Sequence, residues 1–482
     1  MEKVIEKSAI ERLRAFFDGR WFPCVFAVIM FICGQLALDI LGFFIVGATV
    51  CVICVFHNDS RPIIPVALTA VSCVSHQNTP GKGDHSNFYS QPWVIACLIV
   101  VALIVVTGLI IGFIRNRREG ALKGKKLLLG IAILCSAMIL GGIFTENYDM
   151  NHFVVAGLML VTLMVFYMYF TATMDRREDN LSYVAFCCMV AGGCISMQVF
   201  AFYLRYYQPW QPLDWIWKDG LLFGGYVSNS AGEMIAILMP ACFMFAAKEK
   251  RGWIYLLVAT AFAGAIYLTL SRMGLLVGAL VYIAGVAYCS FRGNSKKVMR
   301  TLFLTALAIG VLALLVLIVT GKFTVLFDYF LNIGVSGRGR WALWSTMLGR
   351  FIENPIFGDA FSTLINDGGY YITQHEAHFS SVYTALAHNT IIQMLASCGI
   401  VGIISYAFHR YQTVKLFVKT NNKDTWWFGA IILAFLVTAL FDQIFFFPNF
   451  TIMYALLLVV CEKEGTKKEE KSQKGERKSE KA

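Results

Sequence analysis

The sequence predicts an all-α protein of the polytopic membrane class, and three observations predict it. Hydrophobic residues make up 58% of the 482 and charged residues only 15%, against roughly 45–50% and 25% in soluble globular proteins. The apolar residues lie in continuous runs long enough for a membrane-crossing helix, which needs about 20. The basic residues gather between those runs. The first observation excludes a soluble enzyme. The second argues against a transmembrane β-barrel, whose strands are alternating segments of about ten residues. The net charge of +11 is not gathered on a stretch that reads as a basic folded face, so nucleic acid is not the expected partner.

Taken in order, the runs occupy 21–36, 38–56, 62–76, 93–114, 126–144, 152–173, 181–204, 229–247, 252–270, 272–291, 301–320, 388–409, 426–443 and 446–461. Asp39 alone divides the first two, the third is short and carries Pro62 and Pro65, and the last two part only around Pro448. The expected count is therefore twelve to fourteen. With the N-terminus placed in the cytoplasm, 33 of the 41 Lys and Arg residues fall inside and eight fall outside, a strong positive-inside bias. The chain divides into a cytoplasmic N-terminus (1–20), a helix bundle (21–320), a large outer loop (321–387) with short helices, C-terminal spans (388–461) and a tail (462–482). The N-terminal residues mix both charges and no small-residue cleavage site follows, so the first span is expected to stay as an anchor. The Lys/Glu/Ser tail is expected to be disordered. A second outer loop, 206–228, carries Tyr207, Trp210, Trp215 and Trp217 at the expected headgroup level. The fourteen cysteines sit in or beside apolar runs, so no disulfide framework is expected, and Cys51-x-x-Cys54 reads as core packing.

Outer arginines run against the bias and call for a reason. Arg272, in Thr-Leu-Ser-Arg-Met-Gly, sits where one run ends and the next begins. It reads either as an arginine snorkelling to the interface or as an anion-binding group beside the small residues Ser271 and Gly274. Arg338 and Arg340 flank Gly339 in the large loop, where guanidinium forks suit phosphate bidentately; solvated loop charges are the alternative. Trp341 and Trp344 suggest an interfacial helix over 340–352, ending before Pro355. His388 opens a span at its outer mouth, as a base for an acceptor hydroxyl or as a satisfied interfacial histidine. His375 and His378 lack the zinc-protease spacing and the company of other ligands, so no metal is expected.

The ordered set Gly339-Arg340…Trp344, Asn354-Pro355…Gly358 and His388-Asn389 with Gly399 and Gly402, preceded by Ser271-Arg272 and Asn229, resembles the O-antigen ligase and O-antigen polymerase membrane family over roughly 220–410. The resemblance implies glycosyl transfer from a polyprenyl (undecaprenyl) diphosphate donor to an acceptor hydroxyl outside the cytoplasmic membrane of a bacterium, in cell-surface polysaccharide assembly. It implies no cofactor and no need for ATP, because the diphosphate already activates the donor. It gives Arg272 and Arg340 the developing diphosphate charge, with Arg338 as a further ligand, and His388 the role of base. Asn229, Trp344 and Asn389 fall at supporting positions, and Glu376 and Asp359 are weaker alternatives for the base. The motifs do not separate a ligase, whose acceptor is lipid-anchored, from a polymerase, whose acceptor is the next lipid-linked repeat. The rivals are another lipid-linked glycan enzyme, such as the peptidoglycan polymerase group, and a lipid-linked sugar flippase or transporter. Against the last, Asp39, Glu146, Glu233 and Asp442 lie near span ends rather than deep within spans.

Overall fold

The computed structural model describes residues 2–75, 86–89, 91–123, 125–206, 222–223, 225–294, 296–321, 338–361, 387–420 and 423–479. Each of the fourteen apolar runs carries helix. The polar-faced α1 (Glu2–Asp18) bends by 77° into α2 (Trp21–Gln35). α3 (Asp39–Phe56) follows, then α4 (Ile63–Thr69), which a 3-10 turn (Ala70–Cys73) extends. A single turn, α5 (Ser86–Tyr89), precedes α6 (Pro92–Asn116) and α7 (Lys126–Leu140). α8 (Met150–Met159) passes through a π-helical turn (Leu160–Val165) into α9 (Phe166–Thr173), and α10 (Asn180–Tyr206) leads to a minimal antiparallel pair, β1 (Leu222–Phe223) and β2 (Tyr226–Val227). Next come α11 (Ser228–Leu238), α12 (Pro240–Lys248), α13 (Gly252–Thr269), α14 (Arg272–Arg292) and α15 (Lys296–Val319). α16 (Arg338–Glu353) matches the helix expected over 340–352. α17 (Thr390–Thr420), α18 (Lys423–Ala439), a 3-10 turn (Ile444–Phe446) and α19 (Pro448–Ser479) complete the chain.

The protein is an all-α polytopic membrane protein. Among the described residues eight helices are long and apolar enough to cross a membrane alone, or nine if the bent α1–α2 pair counts as one. Other predicted runs are helical too but short, such as α7 and the α4 segment. The span formed by α11 and α12 has 94% of its apolar window buried inside the protein, whereas α6 has only 17%. The first is the centre of the bundle and the second faces lipid, where apolar side chains need no protein partner. The tail differs from expectation: α19 runs on to Ser479, through Lys and Glu residues that are good helix formers. All fourteen cysteines are free.

Contacts sort the loops into two ends. Arg61 pairs with Asp179, Arg177 with Asp18 and Asp59, Lys125 with Glu462, and Lys248 with Asp424. At the other end His388 meets Asp442, and Asn147 meets Asp359. The same sorting follows from the alternation of the predicted spans.

Candidate active site

His388 stands just before α17 with φ of 48°, a left-handed conformation that a residue with a Cβ adopts at a cost of roughly 1–2 kcal/mol. Its surroundings impose it. The His388 backbone N–H donates to Gln443 Oε1 at 3.3 Å, and the carbonyl before it, on Ala387, accepts the Trp344 indole N–H at 2.7 Å. Asn389 then caps α17: its Oδ1 accepts the N–H groups of Ile391 and Ile392 at 2.9 and 3.0 Å, and its Nδ2 donates to Leu440 O at 2.8 Å.

The ring is held as firmly. His388 Nδ1 lies 3.1 Å from Asp442 Oδ1, and the carboxylate side chain is 7% exposed while the imidazole is 31% exposed. With the buried carboxylate as acceptor, that bond calls for a ring proton on Nδ1 and turns Nε2 away from Asp442. Asp442 is itself fixed, because Oδ1 also accepts the Gln443 N–H at 2.7 Å, and the buried Glu233 side chain lies beside it. The sequence reading placed Asp442 and Glu233 merely near span ends. Its missed signal was an acid and an amide, Asp442-Gln443, between two apolar runs.

Glu233 links this pair to Arg272. The residue before it, Gly232, packs against the turn between α13 and α14 so closely that a Cβ there would sit 2.4 Å from Thr269 Oγ1 and 2.7 Å from Ser271 Cβ. The turn itself is pinned. Leu270 has φ of 56°, Ser228 Oγ donates to Thr269 O at 2.5 Å, and Tyr203 Oη donates to Leu268 O at 2.5 Å. Ser271 caps α14 by accepting the Gly274 N–H at 3.1 Å. Arg272 is therefore the exposed first residue of a 21-residue helix, where the helix dipole adds positive potential to its own charge. Asn229 lies in the first turn of α11, one turn before Glu233.

Trp344 does the same for the large loop. Its bond to Ala387 O seats α16 against α17, with Met347, Ala387 and Ala396 packed between them. Position 340 is one turn before Trp344, so this docking brings the start of α16 toward His388. The side chains of Arg338 and Arg340 lie outside the described ones, as do residues 207–221 with their aromatics and the whole of Glu376, His375 and His378.

Behind α16 the stretch 354–361 is threaded through a break in α17. Gly399 has φ of 61° inside α17, and Gly358 has φ of 71°. Ile400 N–H donates to Pro355 O at 2.9 Å and Asp359 N–H donates to Ala396 O at 2.7 Å, so the two backbones bind each other across the break. A Cβ at position 358 would come 2.4 Å from Cys398 N, and one at 399 would come 2.4 Å from Ile356 O. The stretch leaves the knot at Phe361, whose N–H donates to Nδ1 of the buried His152 at 3.2 Å. Asp359, an alternative base on the sequence, is spent within this scaffold: Arg350 reaches it at 3.2 Å and Asn147 at 2.9 Å.

The segment that carries this arrangement, residues 256–407, matches the family described as O-Antigen ligase. Over that segment the chain is similar to the O-antigen ligases. The resemblance read from the motifs is borne out over that segment, about a third of the chain. A search of curated proteins finds no match. The O-antigen ligase segment holds Arg272, positions 338 and 340, Trp344, His388 and Asn389. Asn229, Glu233 and Asp442 lie outside it, and the fold brings Asp442 to His388 and Glu233 to the side of Asp442. Among the described residues no three His, Cys, Asp or Glu side chains converge as metal ligands.

Proposed function

We propose that the protein transfers a glycan from a polyprenyl diphosphate to an acceptor hydroxyl at the outer face of the cytoplasmic membrane, in the manner of an O-antigen ligase. The observation that carries the reading is His388, backed by buried Asp442 and joined through Glu233 and Gly232 to the Arg272 turn. In the step, Nε2 of His388 takes the acceptor proton as the acceptor oxygen bonds the anomeric carbon. The bond from that carbon to the diphosphate oxygen breaks, and polyprenyl diphosphate leaves with one further negative charge. Arg272 and Arg340, with Arg338 beside them, meet that charge where it develops, as preorganised cations do. Asp442 holds the ring tautomer and stabilises the imidazolium. The distribution of the basic residues supports an orientation with both termini in the cytoplasm and His388 outside.

Three measurements test this. Purified protein incubated with a lipid-linked glycan and an acceptor should change the carbohydrate, which a flippase or transporter leaves intact. Transfer should survive excess EDTA and absence of ATP; activity restored only by a divalent cation overturns the arginine account. In intact cells a cysteine at position 336 should react with an impermeant reagent and one at 472 should not. A polymerase of the same family is the second reading, favoured by the same site. Deletion separates the two: unattached long polymer on the carrier marks a ligase, and single repeats mark a polymerase.

A further inference from the structure

Arg410 is a cation inside the bundle that no acid among the described residues pairs with. The apolar run read from the sequence stops at residue 409, but α17 continues to Thr420, about 15 Å further at the helical rise. The side chain turns back toward the start of the helix, onto Tyr406 one turn earlier. The guanidinium carbon lies 4.3 Å from the centre of that ring, 4.9 Å from the centre of Phe445 and 5.0 Å from that of Tyr454. Nη1 donates to Tyr454 Oη at 2.5 Å, while Nε and Nη2 are buried with no hydrogen-bond partner. His409 and Thr413 complete the grip on Tyr454. Thr413 Oγ1 gives its proton to His409 O at 3.0 Å, so at 3.2 Å it accepts from Tyr454 Oη, and His409 Nε2 donates to that same oxygen at 3.0 Å.

A buried charge without a counter-ion is costly, and an apolar side chain of similar volume often serves stability as well or better. What the charge adds is geometry. A cation drawn to three ring faces has one best position between them, whereas a flexible thioether packs in several ways. The three rings belong to three elements: Tyr406 to α17, Tyr454 to α19, and Phe445 to the 3-10 turn that follows Asp442 and Gln443. That turn moves as one piece. The Gln443 N–H bonds Asp442 Oδ1, the Phe446 N–H donates to Gln443 O at 2.9 Å, and Thr451 Oγ1 donates to Phe445 O at 2.9 Å. It also supplies both bonds that hold His388, the Asp442 carboxylate to the ring and Gln443 Oε1 to the backbone N–H. Resting on the glycan-transfer reading above, we infer that Arg410 is a positioning residue: through Phe445 it fixes the Asp442–Gln443 turn, and with it the orientation of the His388 imidazole, without touching substrate.

The test compares wild type with Arg410→Met, Arg410→Lys, Asp442→Asn and the double variant Arg410→Met with Asp442→Asn, in purified protein given a lipid-linked glycan and an acceptor. Arg410→Met should melt near wild type in detergent yet lose about tenfold or more in kcat, with KM for the donor little changed, as a displaced catalytic group predicts. Arg410→Lys keeps a cation among the rings and should stay within about threefold of wild type. With Asp442 already replaced, adding Arg410→Met should cost no more than about twofold, because the two act on one path. Losses that multiply in the double variant overturn the inference. So does a lysine variant as slow as the methionine one, or a methionine variant that transfers normally or fails to fold, the last making Arg410 a stability residue only. A second arm needs no turnover. In protein carrying isotope-labelled histidine, with His388 assigned by its loss in His388→Ala, the imidazole nitrogen shifts should report the Nδ1–H tautomer in wild type and a mixture in Arg410→Met. The same shifts in both proteins overturn the inference. If wild type transfers nothing, the glycan-transfer reading fails, and the nitrogen shifts still decide whether Arg410 sets the ring.

Discussion

The two ends of the bundle use charge in opposite ways. At the end assigned to the cytoplasm, charges close on one another. Arg61, 3% exposed, grips Asp179 with both guanidinium nitrogens at 2.7 and 2.8 Å and lies 4.1 Å from the centre of the Tyr183 ring. Arg177 bridges Asp18 and Asp59, tying α1 to the turns after α3 and α9. At the other end the buried acid Asp442 is turned toward the half-buried His388, and Arg272 is presented at a helix start. Charges that complete each other hold loops together. Charges gathered around a histidine at a helix start are arranged as reactive groups are.

The largest effect should come from His388→Ala, which lowers turnover by about 10²–10⁴ as expected for loss of a general base; donor affinity and thermal stability in detergent should stay near wild type. Normal turnover in that variant would move the base elsewhere and make Glu376 the next candidate. Arg272→Lys and Arg340→Lys keep the charge but lose the fork, and should cost about 10²–10³ in rate. Arg338→Ala should cost less than Arg340→Ala, and the reverse order in a transfer assay would shift the register of α16. Asp442→Asn should slow turnover by about 10²-fold and distort the pH–rate profile, while KM for the donor changes little. Arg61→Ala is the counterpart at the opposite end: stability should fall by roughly 1–3 kcal/mol, with transfer per folded molecule unchanged. A parallel loss of activity and stability there would erase the contrast between the ends.

The smallest effect is one of pH. Burial works against the ionised form of Asp179, but Arg61 hydrogen-bonds it and holds its carboxyl below the ordinary carboxylate range. The unfolded chain therefore takes up this proton first as pH falls. The pair's contribution is complete above the ordinary carboxylate value and fades as pH drops through the lowered folded one. The half-exposed position of Asp179 keeps it small. Melting curves of wild type and Asp179→Asn should converge on acidification, and a difference that widens instead would reverse the sign.

The spans were legible because lipid demands continuous apolar helix whatever the neighbours. Arg272, position 340 and His388 were legible because each stood against a local expectation, a cation on the poor side or a histidine at a span mouth. Asp442 was not, because an acid at a span end has an ordinary explanation and its partner lies 54 residues earlier in the chain. Gly232, Gly358 and Gly399 were visible as residues only; the close approach that requires them exists between segments far apart in sequence. The helical tail was misjudged by composition, which weighs burial and misses helix propensity.

The packing of Gly358 against the break at Gly399 also anchors the second half of the large loop. One stem, Phe361, is bonded to His152, and the other, Ala387, donates its N–H to Gln393 Oε1 at 2.7 Å. With both stems tied to the bundle, strain in the chain outside them has little leverage on His388, the next residue after the second stem.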